Sequence, residues 1–205
     1  MRLSLDPELL KGFLDPLEGA RLYQLAELTA PIGPCLEVGS YCGKSTLYLG
    51  AACALHGQLL YAVDHHRGSE EHQLGEAYHD PSLYDATAAR MDTFPEFRRN
   101  VDRAGLTDTV VPIVAGTRMA GRHWRTPLGM VFIDGGHSEE AALTDYRTWA
   151  PHILPGGVLA IHDLFPDPKD GGQAPIQIYR LAAASGLFEP LETVGTLGAL
   201  RRLDL

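Results

Sequence analysis

Apolar residues along this chain switch repeatedly between two periods. From residue 7 to 29, Leu9, Leu10, Phe13, Leu14, Leu17, Leu22, Leu25 and Leu28 recur at helical spacing, and Pro31 and Gly33 stop the run. Residues 35–39 then read as a short apolar strand, and 43–55 as a helix. Leu59 to Asp64 predicts a second strand that ends in an acid. Residues 65–92 are irregular and polar. A helix over 93–104 is closed by Gly105, and Val110 to Val114 is a third strand. Met130 to Asp134 is a fourth, again ending in an acid, and 137–150 is helical with Pro151 beyond it. Val158 to Asp163 is a fifth strand. A Pro-, Gly- and Asp-rich loop (164–174) leads to a helix over 175–185. Two strand-like runs follow, 188–194 and 197–203, joined at Gly195-Thr196.

Strands alternating with helices predict an α/β fold with a doubly wound, mainly parallel sheet of seven strands. The last two strands read as an antiparallel hairpin on one edge. The whole chain, 1–205, reads as one domain, with 1–30 as a helical cover and 65–92 as a lid-like insertion. In open sheets of this kind, ligands sit outside the carboxyl ends of the strands. Glu37 to Gly39, Asp64, Gly116-Thr117, Asp134 and His162-Asp163 all fall at such ends.

Composition narrows the partners. Apolar content is 45% and charged content 21%, the balance of a water-soluble globular domain. A net charge of -9 argues against a nucleic-acid surface. No stretch approaches a membrane span of about 20 apolar residues, and the first residues lack a signal-peptide core. Cys35, Cys42 and Cys53, odd in number and in apolar or turn settings, read as reduced residues of a cytoplasmic protein. Cys42 lies near a helix start, yet no second cysteine or base accompanies it locally.

The richest stretch is Leu36-Glu37-Val38-Gly39-Ser40-Tyr41-Cys42-Gly43-Lys44-Ser45. It reads as strand, tight glycine turn and helix start, where backbone amides face an approaching ligand. A phosphate loop needs a glycine five residues before Gly43, and Val38 stands there. The Gly39–Gly43 spacing also departs from the dinucleotide G-x-G-x-x-G pattern. What remains is E-x-G-x-x-x-G-x-S with an acid ending the second strand, suited to a ligand with a diol and no pyrophosphate. Asp64 can accept from two ribose hydroxyls, and Glu37 can face a ligand ammonium, directly or through water.

These residues resemble motif I of class I S-adenosylmethionine-dependent methyltransferases, notably the catechol- and caffeoyl-coenzyme A-type O-methyltransferases. Phe132-Ile133-Asp134-Gly135-Gly136-His137-Ser138, Leu154-Pro155-Gly156-Gly157 and Ile161-His162-Asp163 are similar to the bacterial methyltransferase family 24. The resemblance covers about residues 12–205 and implies a Rossmann-like fold. It implies that Gly39, Ser40 and Tyr41 line the methionine and ribose of the cofactor, and that Ser45 caps its carboxylate. Asp64 would hold the ribose, Gly116 and Thr117 would flank the adenine, and Asp134 would lie beside the cofactor. Of the two histidines after Asp64, His65 is the one expected at the ligand.

The same resemblance implies a divalent cation, magnesium or another, at Asp134, His162 and Asp163. His162 is a departure, because imidazole suits a transition metal better than magnesium. His137 stands where the catechol-type enzymes carry a catalytic lysine, so His137 and Asp134 are the expected catalytic pair. Plainer roles are open for each. Asp134 and Asp163 can cap turns, His137 can be an ordinary first-turn residue, and His162 a buried hydrogen-bonded one. The expected activity is methyl transfer to a small-molecule acceptor, at a hydroxyl. A cofactor-binding protein without transferase activity is the alternative. His72, Tyr78, His79 and Tyr84 in the lid, and loop 164–174, are candidate substrate walls. The N-terminal run covers the pocket or pairs two copies into a homodimer.

Overall fold

A computed structural model describes residues 3–69, 72–76 and 79–204. The described residues form strands β1 (Cys35–Val38), β2 (Leu60–Asp64), β3 (Tyr84–Asp85), β4 (Arg90–Met91), β5 (Val110–Val114), β6 (Leu128–Ile133), β7 (Ile153–Ile161), β8 (Phe188–Pro190) and β9 (Gly198–Arg202). The helices are α1 (Pro16–Thr29), α2 (Lys44–Leu55), α3 (Phe94–Arg103), α4 (Thr117–Ala120), α5 (Glu139–Trp149) and α6 (Ala174–Ala184). Seven strands make one sheet in the order β5-β2-β1-β6-β7-β9-β8, while β3 and β4 form a separate ribbon. The first five of that order run parallel. β9 is antiparallel to both β7 and β8.

Period-two alternation divides the strand side chains between two cores. Met130, Phe132, Val158 and Ala160 face α1, α2 and α3, where they meet Leu22, Leu47, Leu49 and Phe97. Val131, Ile133, Leu159 and Ile161 face the other way, against Trp149 of α5 and Ile178 of α6. Both faces are covered by helices, so the central strands are apolar on both sides. On β1, Cys35 joins the first core while Leu36 and Val38 join the second. Glu37 therefore falls on the first face, a position where its neighbours are apolar.

Several predicted boundaries move. The N-terminal run divides into a short 3-10 turn (Pro7–Leu9) and α1, which starts at a capping box of Asp15 and Glu18 with Pro16 between. α5 begins at Glu139 behind the Ser138 cap, so His137 lies in the approach loop and not in the helix. β7 reaches back to Ile153. Pairing jumps from Leu128↔Ile153 to Met130↔Val158, and the extra residues Leu154 to Gly157 sit in that irregularity. Region 65–92, read as irregular, contains the β3–β4 ribbon. No helix among the described residues is long and apolar enough to cross a membrane.

Candidate active site

Register alone assembles the rim. Val38 pairs with Val63 and Ile133, and Ile133 pairs with Ile161, so these four residues form one row across the sheet. The next residue of each strand is Gly39, Asp64, Asp134 or His162. The backbone ladder carries them as well: Gly39 N–H donates to Val63 O (3.0 Å), Asp134 N–H to Val38 O (2.8 Å) and His162 N–H to Ile133 O (3.1 Å). β1 sits where the chain turns from one half of the sheet to the other, the point where such folds open a crevice.

The turn after β1 is bent sharply. Gly39 (φ 87°), Tyr41 (φ 45°) and Gly43 (φ 93°) all have left-handed backbones. At Gly39 a Cβ would lie 2.0 Å from the Asp134 carbonyl oxygen, so only glycine lets the two strand ends meet. Asp64 holds the turn in this shape. Its Oδ2 accepts from the Ser40 and Tyr41 N–H groups (2.9 Å each) and its Oδ1 from His66 N–H (2.7 Å). Of about four acceptor positions on a carboxylate, three are filled. Asp64 thus stands at the rim with one acceptor position left open. His65 stands at the rim, half exposed, with Nδ1 3.9 Å from Asp64 Oδ1. His66 turns inward between Phe94 and Phe97, its Nδ1 2.8 Å from Thr93 Oγ1.

Glu37 lies behind the turn and is fully buried. Ser45 and Thr46 hydroxyls donate to its two oxygens (2.5 and 2.6 Å). Burial pushes its carboxyl up to about 7, against the pull of these hydroxyls. Ser45 therefore ties β1 to the start of α2, and its hydroxyl is directed to Glu37 rather than to a ligand carboxylate. The α2 start itself carries no side-chain cap, which leaves its first amides for an anionic group.

On the other side of the crevice four ionisable residues lock together. His162 Nδ1 is 3.1 Å from Asp134 Oδ1 and 3.5 Å from Asp163 Oδ1, while His162 Nε2 is 2.8 Å from Glu18 Oε2. Burial opposes charge on His162, but the carboxylates of Asp134, Glu18 and Asp163 outweigh it and raise the imidazole to about 11. Burial likewise opposes charge on Glu18, yet hydrogen bonds from His162 and Thr196 hold it near 2. Asp163 has a left-handed backbone (φ 59°), and His137 Nε2 lies 2.9 Å from its Oδ2. Burial works against Asp163 ionisation, but His137 and His162 keep its carboxyl below the ordinary range. Neither Asp134 nor Asp163 caps a helix. Glu18 is the residue that reasoning from sequence missed; in the structure it forms a capping box with Asp15 at the start of α1.

The remaining candidates sit around this centre. Gly116 opens on empty space, whereas the Thr117 hydroxyl is turned inward and accepts from the Trp149 indole N–H (3.3 Å). A cavity of about 440 Å³ opens beside Tyr41, walled by Phe13, His79 and Pro81 among others. Lys11 bridges to Asp80 and Ser82 across its mouth, joining the N-terminal segment to region 65–92. The His72 ring stacks on Tyr41 (5.1 Å), and His79 meets Tyr84 edge-on (5.8 Å). Tyr78 lies outside the described residues. Cys42 packs with Leu83 and Met91, which anchors the same region onto the turn. Burial raises its thiol to about 12, so it is inert.

The donor set suits the groups that the sequence implies. Asp134, His162 and Asp163 each turn one donor atom into a shared space, all within 4.8 Å of one another. That spacing and chemistry fit a divalent cation. The glycine turn, the remaining acceptor position on Asp64, the uncapped α2 start and the open space at Gly116 fit an adenosyl amino acid.

Comparison with known proteins finds the same fold. The O-methyltransferase of Bacillus cereus, solved with S-adenosylhomocysteine, superposes with a TM-score of 0.63 at 19% identity, over 93% of this chain and 83% of that one. TomG of Streptomyces achromogenes, an O-methyltransferase of tomaymycin synthesis solved with S-adenosylmethionine, gives 0.62 at 18%, over 94% and 82%. The methyltransferase PaMTH1 of Podospora anserina gives 0.66 at 14%, over 94% and 80%. At these identities the likeness speaks for the shared fold. A family model described as a methyltransferase domain, that of family 24, matches residues 36–164, from the first strand to the loop after Asp163. The chain belongs to the family 24 methyltransferases.

Proposed function

We propose that this protein transfers the methyl group of S-adenosylmethionine to a hydroxyl of a small-molecule acceptor. The observation that carries the reading is the meeting, on one rim, of the Asp64-held glycine turn with the His137–Asp163 pair, 2.9 Å apart. Methyl transfer is an in-line displacement, so the acceptor oxygen must lie behind the methyl carbon and lose its proton. S-adenosylmethionine supplies the electrophilic methyl. Asp163 fixes the His137 ring, and His137 takes the hydroxyl proton. A divalent cation held by Asp134, His162 and Asp163 would orient the acceptor and ease its deprotonation. Region 65–92 and loop 164–174 act as the acceptor's walls. Gly172 borders His137, and the Phe165 ring packs on Gly171 in the same loop.

The reading includes a cytoplasmic protein, supported by three buried cysteines, none in a disulfide. It includes a homodimer formed through the exposed Leu17 and Leu28 on α1, three turns apart on one face. The test is transfer of labelled methyl from S-adenosylmethionine to a panel of phenols, catechols, aliphatic alcohols and amines, beside calorimetry with S-adenosylhomocysteine. The expected product is a methyl ether, and His137→Gln should lose about 10²- to 10⁴-fold in turnover with cofactor affinity retained. Full turnover in His137→Gln would remove the proposed base. Folded protein that ignores S-adenosylhomocysteine would overturn the reading as a whole.

A further inference from the structure

Glu18 comes from the first helix, yet it reaches the far side of the rim. All of its acceptor capacity is used. Oε1 accepts from Thr196 N–H (2.6 Å) and Thr196 Oγ1 (2.9 Å), and Oε2 meets His162 Nε2 (2.8 Å) and the Asp15 N–H (3.3 Å). Gly195 allows this approach, because a Cβ there would lie 2.4 Å from Oε1. With Nε2 committed to Glu18, the His162 ring has one orientation, and its Nδ1 faces Asp134 and Asp163.

A carboxylate that takes one ring N–H of a histidine fixes the tautomer and turns the other nitrogen into a directed donor. Here that nitrogen stands 3.1 and 3.5 Å from two carboxylate oxygens. Donors that share an ion with bonds of about 2.1 Å at right angles lie about 3.0 Å apart. Three carboxylates, those of Glu18, Asp134 and Asp163, gather around this single imidazole. Magnesium takes oxygen ligands, whereas imidazole nitrogen suits zinc, copper, nickel and iron.

We propose that Glu18 is a positioning residue that presents His162 Nδ1, with Asp134 and Asp163, as a mixed nitrogen–oxygen site selective for a first-row transition ion over magnesium. The proposal rests on the methyltransferase reading, and its test separates the two.

Chelator-treated full-length protein is titrated with cobalt(II), followed by its visible absorption, and then challenged with excess magnesium. Calorimetry with S-adenosylhomocysteine is run on the same sample. The expected result is one cobalt site that a 100-fold excess of magnesium leaves in place. Glu18→Gln should weaken cobalt binding about 10- to 100-fold, with S-adenosylhomocysteine binding retained. His162→Asp, which makes the donor set all oxygen, should bring magnesium to parity with cobalt and move the cobalt spectrum toward that of an oxygen-only site. Should Glu18→Gln fail to fold, the wild-type competition and His162→Asp still decide. Magnesium displacing cobalt at equal concentration would overturn the proposal, as would a protein that binds S-adenosylhomocysteine but takes up neither ion. Loss of S-adenosylhomocysteine binding in the wild type would instead strike the methyltransferase reading.

Discussion

Glu37→Gln should stabilise this protein in alkaline solution and do little in acid. Glu37 is fully buried on a strand face whose neighbours are apolar, and burial raises its carboxyl from 4.5 to about 7. The folded state therefore binds the Glu37 proton more tightly than the unfolded chain. Below about pH 4.5 both states are protonated and there is no penalty. Between about pH 4.5 and 7 the unfolded chain has given up this proton while the folded state still holds it, so stability falls across that window and levels off above 7. A shift of that size corresponds to about 3 kcal/mol above pH 8 and about 1 kcal/mol at pH 5. Glutamine keeps the shape: its carbonyl accepts from one of the Ser45 and Thr46 hydroxyls, and its amide donates to the other. Urea unfolding of wild type and variant from pH 5 to 8.5 measures the difference directly. The gap should widen with pH to about 3 kcal/mol, or roughly 6–12 °C in Tm for a chain of this size. A gap that stays constant with pH, or a variant less stable than wild type at pH 8.5, would refute the reasoning, because it would mean that the charge on Glu37 is compensated in the fold.

Three further outcomes follow from the same geometry. Gly39→Ala should cost roughly 2–4 kcal/mol by thermal unfolding, since it adds a left-handed penalty to a 2.0 Å clash with the Asp134 carbonyl; an unchanged Tm would contradict the close approach. Asp64→Asn should reduce S-adenosylhomocysteine affinity at least about 10-fold by calorimetry, because one amide nitrogen would face the backbone donors of Ser40, Tyr41 or His66; equal affinity would detach Asp64 from the pocket. Cys35, Cys42 and Cys53 should resist a thiol reagent at pH 8 in the native state and react together on unfolding, whereas rapid native labelling would disprove their burial.

Much of the fold is legible in the chain because its period-two and period-3.6 segments are cleanly separated. Asp64 ends an apolar strand and Gly39, Asp134 and His162 each directly follow one, so a parallel sheet in register brings them onto one rim with little further information. What stayed hidden depended on direction or distance. Glu37 lies one residue before a valine and two before a glycine, and only register tells that it points into the α2 face. Ser45 appeared free for a ligand because its partner, Glu37, was assigned to the ligand too. His137 gained its partner from another loop, Asp163, and lost the helical turn expected of it to the Ser138 cap. The β3–β4 ribbon is two residues per strand, too short for periodicity to register. Glu18 drew no reading at all, because its contacts beyond its own helix start lie 144 and 178 residues away.

Those separations bear on how the protein is made. A ribosome delivers the chain in order, and α1 with its carboxylate emerges long before the loop that carries Thr196. Until His162 and Thr196 arrive, Glu18 lacks both of its long-range partners. The sheet strands from β1 to β7 can pair during that interval, because their contacts are closer along the chain. The link from Glu18 to His162 and Thr196 is among the longest in sequence, and contacts of that kind form late. The acid–histidine half of the rim is therefore expected to be the last part of the protein to mature.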